Sequence, residues 1–146
     1  MDTIQLPQDF REFLKLLNSK RVEYLVIGGY AVGYHGHPRP TGDLDIWISN
    51  SPDNAERVRE ALEEFGFHCH IDILLKDNQI ARMGRPPFRI EVMTTIDGVN
   101  FSDCYSERVV ADVNGVEVSL ISLPRLKENK KASGRSKDIS DLESLP

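Results

Sequence analysis

Two stretches, Glu23-Tyr24-Leu25-Val26-Ile27-Gly28-Gly29-Tyr30 and Asp43-Leu44-Asp45-Ile46-Trp47-Ile48, decide the reading of this chain. The first is an apolar run of strand-favouring residues that ends abruptly at two glycines, so a buried strand stops there. Glycine lacks a Cβ, which lets the backbone turn sharply and bring its N–H groups close to an anion, while Tyr30-Ala31-Val32-Gly33-Tyr34 starts a helix. The second stretch alternates polar with apolar residues. On a strand, Asp43 and Asp45 then share one face, with Cβ atoms about 6 to 7 Å apart, and Leu44, Ile46 and Ile48 face the core.

Two like charges side by side each disfavour ionisation of the other unless a cation compensates them. Magnesium, a hard cation that takes one or two carboxylates together with phosphate oxygens, suits Asp43 and Asp45, and manganese is its substitute. Two ions about 3.5 to 4 Å apart can stabilise both the attacking and the leaving oxygen of a phosphoryl transfer. A third acid stands in another alternating run, Arg89-Ile90-Glu91-Val92-Met93, where Glu91 either joins the metal ligands or takes a proton as general base.

Outward from these runs, Phe10, Phe13, Leu14 and Leu17 recur at helical spacing after Pro7, giving an amphipathic first helix. Ser51 as N-cap, Pro52 in the first turn, the stripe Ala55, Val58, Leu62 and Phe65, and Gly66 beyond the end define a second. Val109 to Val113 and Val116 to Ile121 flank Asn114-Gly115, a pair suited to a two-residue hairpin turn. The sequence after Leu123-Pro124 is helical and basic, with Ile139, Leu142 and Leu145 spaced to dock one face on the core. Helices alternating with strands in this order predict an α/β fold in one domain, residues 1–146, with neither repeat nor linker.

Length and composition agree. The 146 residues, 40% hydrophobic and 28% charged, suffice for one core and exclude a disordered chain. No apolar run approaches the roughly 20 residues needed to span a bilayer, and the N-terminus lacks a basic-then-apolar leader, so a cytoplasmic protein without a membrane partner is expected. Cys69 and Cys104 do not make a disulfide framework and are expected reduced. A net charge of −5 argues against a general nucleic-acid coating protein. Positive charge is concentrated instead in Arg125, Lys127, Lys130, Lys131, Arg135 and Lys137.

The ordered set Gly28-Gly29, Asp43 and Asp45 resembles the pattern of the DNA polymerase beta superfamily of nucleotidyltransferases. More narrowly, Ile27 to Ala31, Arg39-Pro40-Thr41-Gly42-Asp43-Leu44-Asp45 and Asn129 to Asp138 through Asp141-Leu142 resemble small bacterial nucleotidyltransferase toxins of abortive-infection systems. The third carboxylate of such proteins is commonly Asp, where this chain has Glu91. The resemblance implies a nucleotidyltransferase-like mixed β-sheet with helices packed against it and the carboxylates on an open face. It also implies transfer of a nucleoside monophosphate from a nucleoside triphosphate to a hydroxyl, the acceptor being transfer RNA, a partner toxin or antitoxin protein, or a small molecule. A catalytically inactive binding module is the competing implication.

Within that frame Gly28, Gly29, Arg39, Thr41 and Lys130 are the candidate nucleotide-binding residues, and Asp43, Asp45 and Glu91 the catalytic and metal-binding ones. Each has a plainer alternative. Arg39 and Thr41 can be a polar loop, and Lys130, Arg135 and Lys137 can form an exposed helical face or pair with Asp138 and Asp141. Trp47 and Tyr34 can stack on a base or simply pack, and His35-Gly36-His37 with His68-Cys69-His70 is too loose a pattern for a structural zinc site.

Overall fold

The structure, a computed structural model, describes residues 5–38 and 41–146. Its framework is a six-stranded mixed sheet with helices packed against it. In chain order the elements are α1 (Gln8–Ser19), β1 (Tyr24–Ile27), α2 (Gly28–Tyr34), β2 (Leu44–Ile48), α3 (Pro52–Phe65), α4 (Ile71–Leu75) and β3 (Ile80–Arg85). There follow β4 (Phe88–Met93), α5 (Phe101–Ser106), β5 (Val109–Val113), β6 (Val116–Leu120), α6 (Leu123–Ser133) and α7 (Ser136–Ser144). The strands lie in the order β3-β4-β2-β1-β6-β5. β1 runs antiparallel to β2 and parallel to β6, and β2 runs parallel to β4.

Strand alternation sorts side chains between the two faces. Leu44, Ile46, Ile90, Val92, Ala81 and Met83 are buried on one face, the core side, where α1 and α3 pack together. Phe10, Phe13, Leu14 and Leu17 of α1 and Ala55, Val58, Ala61 and Leu62 of α3 close that core. Each such side chain, fully buried, is worth about 1.5 to 3 kcal/mol. β1 is buried along its whole length, which is why its sequence runs apolar instead of alternating.

Local signals end the elements where the sequence places them. α3 begins at Pro52 after Ser51 and stops at Gly66, whose φ of 102° continues no helix. Asn114 and Gly115 both take positive φ, 51° and 81°, and turn β5 into β6 as the Asn-Gly pair predicts. Buried Asn54 accepts a hydrogen bond from the Glu23 amide at 2.7 Å and donates to the carbonyls of Glu23 and Ser49, so one polar side chain ties the first turn of α3 to β1 and β2. Cys69 and Cys104 are free and buried.

α7 departs from expectation. Ile139 is 46% exposed, so the predicted Ile139-Leu142-Leu145 docking face does not form as a unit. The helix docks through Asp138 and Asp141, both buried where Lys130 of α6 supplies a charge for them to meet, and Leu145 just past its end is buried in the core. No described helix is long and apolar enough to cross a membrane.

Candidate active site

On the face opposite the α1–α3 core, strand register builds a row of charged side chains. Asp45 of β2 is level with Glu91 of β4, and Glu91 is level with Arg82 of β3. Residues level with one another on adjacent strands project from the same side, so the three form a row across the sheet. Asp43, two positions before Asp45, joins them. Together they line a cleft of about 740 Å³ whose far wall carries Ser133, Arg135 and Lys137.

Asp45 is the group most disturbed by this setting. Burial pushes its carboxyl up to about 7, the negative charges of Glu91 and Asp43 push the same way, and Lys137 only partly opposes them. Among the described residues its buried Oδ1 atom has no hydrogen-bond partner. The neighbouring acids are engaged. Arg82 Nε donates to Glu91 Oε2 at 2.6 Å, and Arg89 Nη2 donates to Asp43 Oδ2 at 3.1 Å. Arg89 Nε, buried and without a hydrogen-bond partner among the described residues, stands 3.9 Å from Glu91 Oε2.

The donor set fits a hard divalent cation in kind: three carboxylates on one face, with an orphaned Asp45 oxygen that such an ion would satisfy. As the side chains stand, no group of three His, Cys, Asp or Glu among the described residues is arranged to hold a metal ion, since guanidinium groups hold Glu91 and Asp43. The two histidine stretches contribute no such group either. His35 Nε2 instead lies 2.7 Å from the Ile121 carbonyl.

The glycine turn abuts this row. Gly28 has a φ of 67°, and a Cβ built there would fall on Asp45 Oδ2, so only glycine lets the end of β1 pass the carboxylate. A Cβ on Gly29 would stand 2.6 Å from Thr41 Cγ2. Thr41 and both glycines line the cleft, and Tyr30 anchors the approach to β2 by donating its hydroxyl to the Thr41 carbonyl at 3.3 Å. Arg39 lies outside the described residues.

The basic C-terminal cluster is largely neutralised internally. Lys130 borders the cleft, but its ammonium lies 3.0 Å from both Asp138 and Asp141 and is only 5% exposed. Burial alone would raise the Asp138 pKa, but hydrogen bonds from Arg135, Ser133 and Lys130 outweigh it and hold the carboxyl well below the usual carboxylate range. Arg125 pairs with Glu107 and Glu128, and Lys127 donates to the Pro146 carbonyl. Lys137 has no ion pair among the described residues and presents its charge to the cleft.

Trp47 is buried, donates to the Thr94 carbonyl and packs edge-on against Phe101. Tyr34 is 40% exposed and does not line the cleft. Two arginines matter that the sequence reading did not single out. Arg89 sits two residues before Glu91 on an alternating strand, so period-two spacing already placed it on the same face. Arg82 reaches Glu91 only through the β3–β4 register, which no local pattern encodes.

A family model described as nucleotidyl transferase of unknown function (DUF2204) matches residues 7–146. No curated protein matches the chain by sequence. Among solved structures the chain is similar to a candidate nucleotidyltransferase of Thermotoga maritima at 16% identity and a TM-score of 0.64, covering 92% of this chain and 88% of that one. It is also similar to the lincosamide antibiotic adenylyltransferase LnuA with lincomycin bound, at 14% identity and a TM-score of 0.58, with 99% and 98% covered. For ANT(2″)-Ia in complex with adenylyl-2″-tobramycin the values are 12%, 0.58, 92% and 83%. At these identities the likeness is one of fold.

Proposed function

The chain belongs to the family of nucleotidyl transferases of unknown function whose model spans residues 7–146, and from that membership we propose that it moves a nucleoside monophosphate from a nucleoside triphosphate to an acceptor hydroxyl. The observation that carries the reading is the pairing of Asp45 with Glu91 across β2 and β4, beside Asp43 and the Gly28-Gly29 turn, in one open cleft.

In this reading the acceptor oxygen forms a bond to the α-phosphorus, the bond to the bridging oxygen of pyrophosphate breaks, and the hydroxyl proton passes to a carboxylate. Glu91 faces Asp45 and is the base we assign. Gly28, Gly29 and Thr41 border the triphosphate, and Lys137, which lines the same cleft, neutralises its charge. Asp43 and Asp45 would hold magnesium or manganese. Bound there, the ion would supply positive charge to the reacting phosphate and the leaving oxygen. Positioning and charge neutralisation carry most of the catalysis.

The resemblance to abortive-infection toxins supports a setting in phage defence or a toxin–antitoxin pair, with RNA or a protein as acceptor. The solved relatives holding lincomycin and adenylyl-tobramycin make a small molecule the other acceptor class to assay. The decisive experiment incubates the protein and magnesium with each α-labelled nucleoside triphosphate, total RNA, host lysate and a panel of hydroxylated antibiotics, then locates the label. Label on one acceptor class, absent with Asp45→Asn, is expected. Equal labelling by the wild type and that variant would refute the assignment.

A further inference from the structure

Arg82 is placed oddly for a residue with only a structural task. It lies on β3, an edge strand, with its side chain 56% exposed, yet its Nε holds Glu91, which is 16% exposed, at 2.6 Å. Among the described residues Nε is the only part of its guanidinium that is engaged. The group lines the same cleft as Gly28, Gly29 and Thr41. A planar guanidinium with free terminal nitrogens in such a position is well matched to phosphate oxygens, which it can meet with two parallel N–H donors.

Taking Arg82 away would strand a partly buried carboxylate, and the structure contains the group that prevents this. Arg89 Nε is buried, has no hydrogen-bond partner among the described residues and stands 3.9 Å from the same Glu91 oxygen that Arg82 holds. A small turn of Glu91 converts that approach into a hydrogen bond and satisfies both orphans, while Arg89 keeps Asp43 through Nη2.

Resting on the nucleotidyl-transfer reading above, we propose that Arg82 is a triphosphate-binding residue held in reserve. In the empty site it neutralises Glu91, and an incoming triphosphate takes its guanidinium while Glu91 passes to Arg89 Nε. Binding of the anion and transfer of Glu91 from Arg82 to Arg89 are then one exchange of partners. The exchange makes Glu91 a competitor of the triphosphate for Arg82, which simple charge additivity does not.

A double-mutant cycle isolates that competition. The full chain, Arg82→Ala, Glu91→Gln and the double variant are titrated calorimetrically in EDTA with inorganic tripolyphosphate, a probe that needs no knowledge of the base. Arg82→Ala should weaken binding by about tenfold. Glu91→Gln should tighten it by about tenfold when Arg82 is present and by no more than about twofold in the Arg82→Ala background. Equal effects of Glu91→Gln in both backgrounds overturn the exchange, as does unchanged affinity on Arg82→Ala or no binding by the wild type. The nucleotidyl-transfer reading is judged separately, by the labelling assay. Should Arg82→Ala fail to fold, Arg82→Gln carries the same cycle.

Discussion

Two charged clusters face the same cleft and both set carboxylates against basic side chains, yet they differ in how completely they are satisfied. Between α6 and α7, Lys130 meets Asp138 and Asp141 at 3.0 Å each, and Ser133 and Arg135 complete Asp138. Across β2, β4 and β3, Asp43 and Glu91 meet Arg89 and Arg82, and among the described residues two polar atoms, Asp45 Oδ1 and Arg89 Nε, are buried without hydrogen-bond partners. A satisfied buried cluster holds structure together, whereas an unsatisfied one keeps capacity for a ligand at a cost to the empty protein. The contrast suits the helical cluster to structural work and the sheet cluster to the proposed chemistry.

The largest effect expected from that contrast is on activity. Asp45→Asn removes a charge with little change of shape, so labelled-nucleotide transfer should fall by about a thousandfold or more, equivalent to about 4 kcal/mol. Thermal stability at pH 8 should hold or rise, because the substitution relieves a buried carboxylate crowded by Glu91 and Asp43. A variant that loses transfer only because it unfolds would break the distinction between the clusters.

Lys130→Met tests the other side. It leaves Asp138 and Asp141 buried around an apolar side chain, and removing one partner of a buried ion pair costs about 3 kcal/mol or more. Urea denaturation should show that loss in full. Stability within about 0.5 kcal/mol of wild type would mean that Lys130 is held for a ligand and not for the fold.

How much of this was legible in the sequence follows the range of the interactions concerned. The glycine turn, the shared face of Asp43 and Asp45 and the hairpin at Asn114-Gly115 depend on neighbours in the chain, and local periodicity found them. Glu91 was placed by its own alternation, and the β2–β4 register brings it level with Asp45. For Lys130 the sequence offered a phosphate contact, an exposed face or pairing with Asp138 and Asp141, and only the packing of α6 against α7 selects the pairing. Arg82 resisted such reading because its role exists only once β3 has paired with β4. Ile139 was misplaced because a helical stripe was credited to hydrophobic burial when charge pairing set the rotation of α7.

The clusters also differ in the sign of their pH dependence. Asp45 is raised from 3.8 to about 7 in the folded protein, so the native state holds a proton the unfolded chain has lost, and stability falls as pH rises between those values. Asp138 is shifted the other way, so its contribution is present above about pH 4 and is lost as acid protonates the folded carboxyl. Metal-free protein should therefore lose on the order of 2 kcal/mol from pH 5 to pH 8 through Asp45. Asp45→Asn should flatten that slope and leave the acid limb below pH 4 intact. Magnesium at pH 8 should recover part of the loss in the wild type alone. A slope unchanged by Asp45→Asn would place the strain elsewhere in the sheet.

The smallest effect tests whether charge, and not an apolar stripe, docks α7. Ile139 is 46% exposed and sits immediately after Asp138, turned away from the buried Lys130 contact. If the helix is held by its carboxylates, Ile139→Lys removes nothing that the fold uses. Stability should stay within about 0.5 kcal/mol of wild type, and transfer should be unchanged. A loss of 2 kcal/mol or more in urea would return Ile139 to a docking face, and the rotation of α7 that presents Lys137 to Asp45 would then owe less to Lys130 than to packing.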